Sequence, residues 1–160
     1  MSLRLTSHVA ISQNLLSSEK LLYGSLERAL AEMTLIKAQL EFSCGQILRN
    51  PEKQTAHALF LQLLELEESK GNIDRELDDW ENAAKYYLEL ALGQANAETI
   101  GLAHDTVILI QQIRRQSKFN AFLIEQNQHL IRAHYVSFQD RFFELWERLF
   151  SALKNYSKWS

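Results

Sequence analysis

Residues 24–45 read GSLERALAEMTLIKAQLEFSCG, and two different patterns overlap in this stretch. Large apolar side chains recur at steps of three and four, the spacing that keeps them on one face of an α-helix. Gly24, Ala31, Ala38 and Gly45 recur at steps of seven and lie on roughly the opposite face. We therefore predict a helix with one bulky apolar face and one face of small residues.

The bulky face continues on both sides of this stretch and predicts a first helix of about 32 residues, or roughly 48 Å. Its apolar seam consists of Leu22, Leu26, Ala29, Met33, Ile36, Leu40, Ser43 and Ile47. The helix is expected to end near Asn50, because Pro51 disfavours the helical conformation in the residue before it. Residues 1–12 are expected to be irregular or disordered.

Helical spacing runs through the rest of the chain, without the sustained alternation of a β-strand. We predict a second helix that stops at Gly71, a third that ends at Gly93 and a fourth capped by Asn96. A break near Ser117 leads into a fifth helix of about 40 residues, or roughly 60 Å. All 160 residues are thus predicted to form one all-α domain. Its architecture is an elongated, coiled-coil-like bundle of about five helices with long first and last helices.

The composition argues against several classes of function. A net charge of −3 and the lack of clustered Lys and Arg argue against nucleic-acid binding. No apolar run reaches the roughly 18 residues that a membrane span needs. The single cysteine, Cys44, excludes a disulfide within the chain. We expect a cytoplasmic protein that binds no cofactor.

A second apolar stripe accompanies the small residues of the first helix and contains Ala31, Leu35, Ala38 and Phe42. Small side chains between large ones let another helix approach closely. The first helix is therefore predicted to pack on two sides. Either helices of the same chain fill the second side, or a protein partner or a second copy does.

The C-terminal helix carries a wide apolar arc that includes Phe143, Trp146 and Phe150. The arc exceeds the roughly 100° that an ordinary surface helix buries. Trp is also a frequent anchor of protein interfaces. This face is therefore either deeply buried or a docking surface.

Two polar residues interrupt the upstream seam of that last helix. Asn127 and His134 stand where leucine is expected. The step from His134 to Phe138 is four residues, where a heptad repeat would have three. A polar residue in a helical seam usually fixes the register between helices. An extra step of four often marks a change of packing partner. We predict a structural role for both residues.

Four carboxylates suggest a metal-dependent enzyme as the alternative. Glu65, Glu68, Glu76 and Asp79 form two i, i+3 pairs on either side of Gly71. They resemble the ExxE…ExxD magnesium site of MazG-type all-α pyrophosphohydrolases. That resemblance implies a Mg²⁺-dependent nucleotide pyrophosphohydrolase that uses an acidic helical hairpin. The seven residues between the pairs are fewer than that family normally has.

A second resemblance concerns HD-domain metal phosphohydrolases. The order of His57, His104, Asp105 and Asp140 is similar to the His…His-Asp…Asp order of their metal ligands. The glycine and lysine that commonly follow the His-Asp pair are missing. The chain also has no glycine-rich phosphate loop, CxxC or HExxH motif. We predict a non-catalytic helical interaction protein: an adaptor, export-type chaperone or assembly subunit.

Overall fold

The chain forms an all-α bundle in the computed structural model, which confirms the predicted fold class. The structure describes the backbone of residues 2–50, 52–138 and 140–159, and the side chains of 14–50, 52, 54–133 and 146–155. The helices are α1 (Ser2–Arg49), α2 (Lys53–Gln94), α3 (Ala97–Phe138) and α4 (Asp140–Trp159). At about 1.5 Å per residue, α1 is about 72 Å long, α2 and α3 about 63 Å, and α4 about 30 Å. The structure thus describes four helices, where about five were predicted.

The predicted stop at Gly71 is wrong, because α2 passes through it without a break. Seam positions continue across it at steps of seven, from Leu63 through Lys70 to Leu77. Gly71 lies beside this seam, and no glycine of the described backbone has a positive φ. A helical glycine costs only about 1 kcal/mol relative to alanine. The packed seam outweighs that cost.

The predicted break near Ser117 is wrong for a similar reason. Ser117 is buried, and its hydroxyl donates a hydrogen bond of 2.5 Å to Asp74 of α2. A turn-forming residue therefore fits inside a helix when its side chain finds a partner there. The helix instead continues through Ser117 to Phe138, and α4 begins at Asp140. The predicted fifth helix is in this way divided between α3 and α4.

The helix ends agree in part with the signals in the sequence. Asn96 caps α3 as predicted, since its Oδ1 accepts a 3.0 Å hydrogen bond from the backbone N–H of Glu98. The left-handed residue that ends α2 is Ala95 (φ 52°, ψ 33°), two residues after Gly93. The first helix ends at Arg49, near the predicted position. It begins at Ser2, so residues 2–12, expected to be irregular, have a helical backbone.

Helices α1, α2 and α3 contact one another, and α4 contacts α3. The Asn120 amide donates to the Met33 carbonyl and the Asn127 amide to the Leu40 carbonyl. Both pairs are 87 residues apart, and a constant difference means that α1 and α3 run parallel. The whole predicted seam of α1 is buried except Leu22, which is half-buried.

The remaining long helix runs in the opposite direction. Along α3, Ser117 bonds Asp74 of α2, and the later Gln128 bonds the earlier Glu67. Partners that move in opposite directions along two helices define an antiparallel pair. Along the described helices, no stretch is both long and apolar enough for a bilayer crossing.

Candidate functional site

The second apolar stripe of α1 lies on the outside of the bundle. Ala31 and Ala38 are exposed, and Leu35 and Phe42 expose 57% and 64% of their surface. A Cβ atom built on Gly24 would meet no atom within 4 Å. The alternative in which helices of this chain cover the second side is therefore wrong for the described residues. We call Ala31, Leu35, Ala38 and Phe42 the α1 outer stripe.

The described part of α4 is also exposed on its apolar side. Trp146 exposes 39% of its surface, and Leu149, Phe150 and Leu153 expose 56%, 52% and 59%. The Trp146 ring meets the Phe60 ring of α2 edge to face, with centroids 6.1 Å apart. We call Trp146, Leu149, Phe150 and Leu153 the α4 apolar face. The side chain of Phe143, also predicted to bind a partner, lies outside the described residues.

The structure does not bring the four carboxylates of the magnesium alternative together. Glu65, Glu68, Glu76 and Asp79 are all exposed on the single helix α2. The first and last are 14 positions apart, or about 21 Å along the helix axis. The acidic hairpin predicted around Gly71 is wrong, because no turn is present there.

Other acidic residues of the same segment hold α2 against α3. Glu67 accepts a 2.7 Å hydrogen bond from Gln128 of α3. Seven residues on, Asp74 accepts the Ser117 hydroxyl and also pairs with Lys70 at 2.7 Å. These contacts, with those of Glu81 below, form a polar ladder at heptad spacing along the α2–α3 contact. Part of the acidic charge of the segment therefore has a structural role.

The next rung of this ladder is a charged cluster. Arg114 of α3 bonds Glu81 and reaches Asp78 at 3.0 Å, and Lys85 pairs with Glu81 at 3.3 Å. Hydrogen bonds from Arg114 and Lys85 lower the pKa of the Glu81 carboxyl below its ordinary value. The group is partly exposed, so water screens much of this interaction. The cluster holds α2 against α3 and pairs the Glu81 carboxylate with two cations.

The histidines of the second enzyme resemblance lie far apart. His57 is near the start of α2, whereas His104 and Asp105 are near the start of α3. Because α2 and α3 are antiparallel, these positions are at opposite ends of the bundle. Asp140 has no described side chain. Among the described residues, no group of three or more His, Cys, Asp or Glu side chains is close enough to hold a metal ion.

Two asparagines of α3 carry the buried hydrogen bonds between α1 and α3. Asn127, predicted from its seam position, is fully buried. Its amide donates hydrogen bonds to the carbonyl oxygens of Leu40, at 3.2 Å, and Leu123, at 2.9 Å. Asn120, one heptad earlier and not predicted, donates 3.0 Å to Met33 O. These bonds match one register of the two helices. The side chain of His134 lies outside the described residues.

The least expected buried group is the carboxylate of Glu19, which exposes 1% of its surface. The α1–α3 offset of 87 places Thr106 opposite it, but the Thr106 hydroxyl donates to Leu102 O of its own helix at 2.8 Å. Neither Glu19 oxygen has a hydrogen-bond partner among the described residues. Burial raises the pKa of the Glu19 carboxyl from its ordinary value of 4.5 to about 7. Glu19 continues the heptad series of 26, 33, 40 and 47, but its position alone does not reveal that a charged side chain is buried.

Comparison with protein-family models, curated proteins and solved structures finds no match to this chain. Cys44 is half-buried, and burial raises the pKa of its thiol, which disfavours the reactive thiolate. The best-defined candidate sites on the described surface are the α1 outer stripe and the α4 apolar face.

Proposed function

We propose that this chain is a non-catalytic helical interaction protein of the cytoplasm: an adaptor, export-type chaperone or assembly subunit. It docks a protein partner, or a second copy of itself, on the α1 outer stripe and the α4 apolar face. The supporting observation is that Leu35, Phe42, Leu149 and Phe150 each expose more than half of their surface. Exposed apolar groups of this kind are typical of protein-binding surfaces when they form a continuous patch.

The α1 outer stripe and the α4 apolar face suit docking for different reasons. On α1, Ala31 and Ala38 leave room between Leu35 and Phe42, so that a partner helix can approach the backbone closely. On α4, the Trp146 and Phe150 rings contact each other with centroids 5.6 Å apart. Paired aromatic side chains supply a large apolar area at little cost in side-chain entropy, which suits them as interface anchors.

Site-specific photo-crosslinking in cells tests this proposal. A photoreactive side chain at position 35 or 149 is expected to capture a protein. The same group at the exposed polar positions Glu27 and Glu89 is the control and is expected to capture none. Light scattering of the purified protein then separates the two occupants, because a second copy doubles the mass. A monomer without crosslinks at either surface would contradict the proposal.

The alternative is a Mg²⁺-dependent nucleotide pyrophosphohydrolase that uses Glu65, Glu68, Glu76 and Asp79. Incubation with nucleoside triphosphates and Mg²⁺ separates the two functions. We expect no release of pyrophosphate above that of buffer. Release that depends on Mg²⁺ and is lost in Glu68→Gln would favour the enzyme.

A further inference from the structure

A groove runs between α1 and α3 on the flank of α3 that faces away from α2. It is lined by Leu30, Lys37, Gln112, Arg115, Gln116 and Phe119. On its opposite flank, α3 meets α2 through Arg114, Ser117 and Gln128. One side of the parallel α1–α3 pair is thus left uncovered by the described residues of the other helices. We call this surface the α1/α3 groove.

The groove has an apolar floor and an aromatic edge. Leu30 is half-buried and packs against the core, whereas Phe119 exposes 42% of its surface. Phe122 exposes 53%, and its ring centroid lies 6.5 Å from that of Phe119. Ile108, seven positions before Arg115 on the same stripe of α3, exposes 52%. These apolar side chains form a strip that runs parallel to the helix axes, and a partner helix can pack along such a strip.

Among the described residues, two cations and no carboxylate line the groove. Lys37 holds its Nζ 5.2 Å from the centroid of the Phe119 ring, a cation–π contact that directs the ammonium group toward the groove. Its contact with Glu41 is long, with Nζ and Oε1 4.0 Å apart. Both side chains of that pair are well exposed, so the pair is weak.

Arg115 differs from its neighbour Arg114 in its charge partners. Arg114 bonds two carboxylates of α2. Arg115 is exposed and forms no ion pair with any described residue. A guanidinium group left without a carboxylate at the edge of an apolar groove favours an acidic partner and disfavours a basic one.

We propose that the α1/α3 groove docks an amphipathic helix of a partner protein, one that carries carboxylates beside its apolar face. The apolar face covers Leu30, Phe119 and Phe122, and the carboxylates pair with Lys37 and Arg115. This site is separate from the α1 outer stripe and the α4 apolar face. The proposal for the groove can therefore be tested independently of the proposed function.

Two synthetic helical peptides of about 21 residues are the probes, a length of about 32 Å. They share a heptad leucine face, and one is flanked by Glu and the other by Lys. Fluorescence anisotropy measures their binding to the full chain. The Glu-flanked peptide is expected to bind at least about tenfold more tightly than the Lys-flanked one. The difference should shrink as salt is added. Equal affinities, or no binding of the Glu-flanked peptide, would overturn the proposal.

Charge reversal locates the binding to the groove. The double variant Lys37→Glu/Arg115→Glu is expected to lose the preference for the Glu-flanked peptide and to bind the Lys-flanked one instead. The control Lys20→Glu/Lys118→Glu changes the net charge equally at exposed positions outside the groove and should keep the wild-type preference. Equal losses in both double variants would mean that net charge alone drives binding, which contradicts the groove.

A further pair of variants separates the groove from the surfaces of the proposed function. Phe119→Ala should weaken the Glu-flanked peptide about tenfold or more, because it removes the aromatic edge. Leu35→Ser/Phe42→Ser, on the α1 outer stripe, should leave its affinity unchanged. The reverse result would place the peptide on the outer stripe and reject the groove, while leaving the proposed function intact. Circular dichroism of each variant confirms that the helices are retained.

Discussion

Asn120 bonds its own helix and the main chain of α1 at once. Its Nδ2 donates to Met33 O, and its Oδ1 accepts a 3.0 Å hydrogen bond from Gln116. Asn120→Asp keeps the shape but sets a carboxylate oxygen against the Met33 carbonyl in a fully buried site. We expect the free energy of unfolding to fall by about 3–5 kcal/mol, measured by denaturant melt.

Asn82→Asp is the matched control, because Asn82 is exposed on α2. The same chemical change there should alter the free energy of unfolding by less than about 0.5 kcal/mol. A small effect at position 120 would show that water or a rearranged partner solvates the carboxylate, and that the hydrogen bond to α1 is not needed for the fold.

Glu19 predicts a pH dependence with a defined sign. Below pH 4.5 its carboxyl is protonated in both the folded and unfolded chains, and the full stability is present. Between pH 4.5 and about 7 the unfolded chain ionises while the folded chain holds the proton. The free energy of unfolding therefore falls as pH rises, by about 2–3 kcal/mol from this residue. Above pH 7 the loss is complete.

The difference in unfolding free energy between wild type and Glu19→Gln isolates this contribution, since the amide does not ionise. Wild type should lose stability relative to the variant as pH rises from 4.5 to 7. Glu27→Gln, an exposed change on the same helix, should give a difference that is nearly constant with pH. A constant difference for Glu19→Gln as well would show that the folded carboxylate ionises at its ordinary pKa.

At the scale of whole helices, the continuity of α2 through Gly71 gives a testable prediction. Gly71 has a helical backbone, and a Cβ added there meets no atom within 4 Å. Gly71→Ala should raise the free energy of unfolding by about 1 kcal/mol. Gly45→Ala on α1 meets the same two conditions and should give a similar gain. A loss of stability at position 71 alone would mean that the chain turns there, as the sequence pattern suggested.

At the C-terminal end of α2, replacing an alanine by glycine is expected to increase stability. Ala95 holds a left-handed conformation that is strained for any residue with a Cβ, and its N–H bonds Leu92 O at 3.3 Å. Ala95→Gly should therefore stabilise the protein by about 1 kcal/mol. Ala58→Gly, at an exposed helical position of the same helix, should cost about 1 kcal/mol. If both substitutions shifted the melting temperature in the same direction, the left-handed conformation of Ala95 would be contradicted.

The accuracy of the sequence-based assignment depended on whether a signal was local or tertiary. Side-chain spacing located the seam of α1 from Leu26 to Ile47, and Asn96 was a local cap signal that tertiary contacts did not override. Gly71 and Ser117 are local break signals that a continuous seam did override. Glu19 shows the other limit, because a charged residue in a heptad position gives no sign of whether it is buried until the neighbouring helices are placed.

The candidate surfaces were predictable in composition but not in exposure. The alternation of Ala31, Leu35, Ala38 and Phe42 was visible in the sequence, whereas the empty space beside it depends on where α2 and α3 lie. The groove residues Lys37 and Arg115 are 78 positions apart. No local pattern relates residues so distant, since only the parallel register of α1 and α3 brings them to one groove.

In the whole molecule, α4 is joined less firmly than the three long helices. Among the described residues, its contacts are with α3 and, through Trp146, with Phe60 of α2. Trp80, by contrast, packs against the main core. We expect fluorescence of a Trp146-only variant to change at lower urea than that of a Trp80-only variant. Each variant replaces the other two tryptophans by Phe. Coincident midpoints would show that α4 and the bundle unfold as one unit.

The parallel register of α1 and α3 limits how the length of this chain can vary. One more heptad layer of packing needs seven additional residues in each of two consecutive helices, inserted between α1 and α2 or between α2 and α3. An insertion of seven residues at either place lengthens one helix without its neighbour, whereas fourteen lengthens both. The separation between Leu40 and Asn127 should therefore change among homologues in steps of fourteen, to 73 or 101, and intermediate lengths should be selected against.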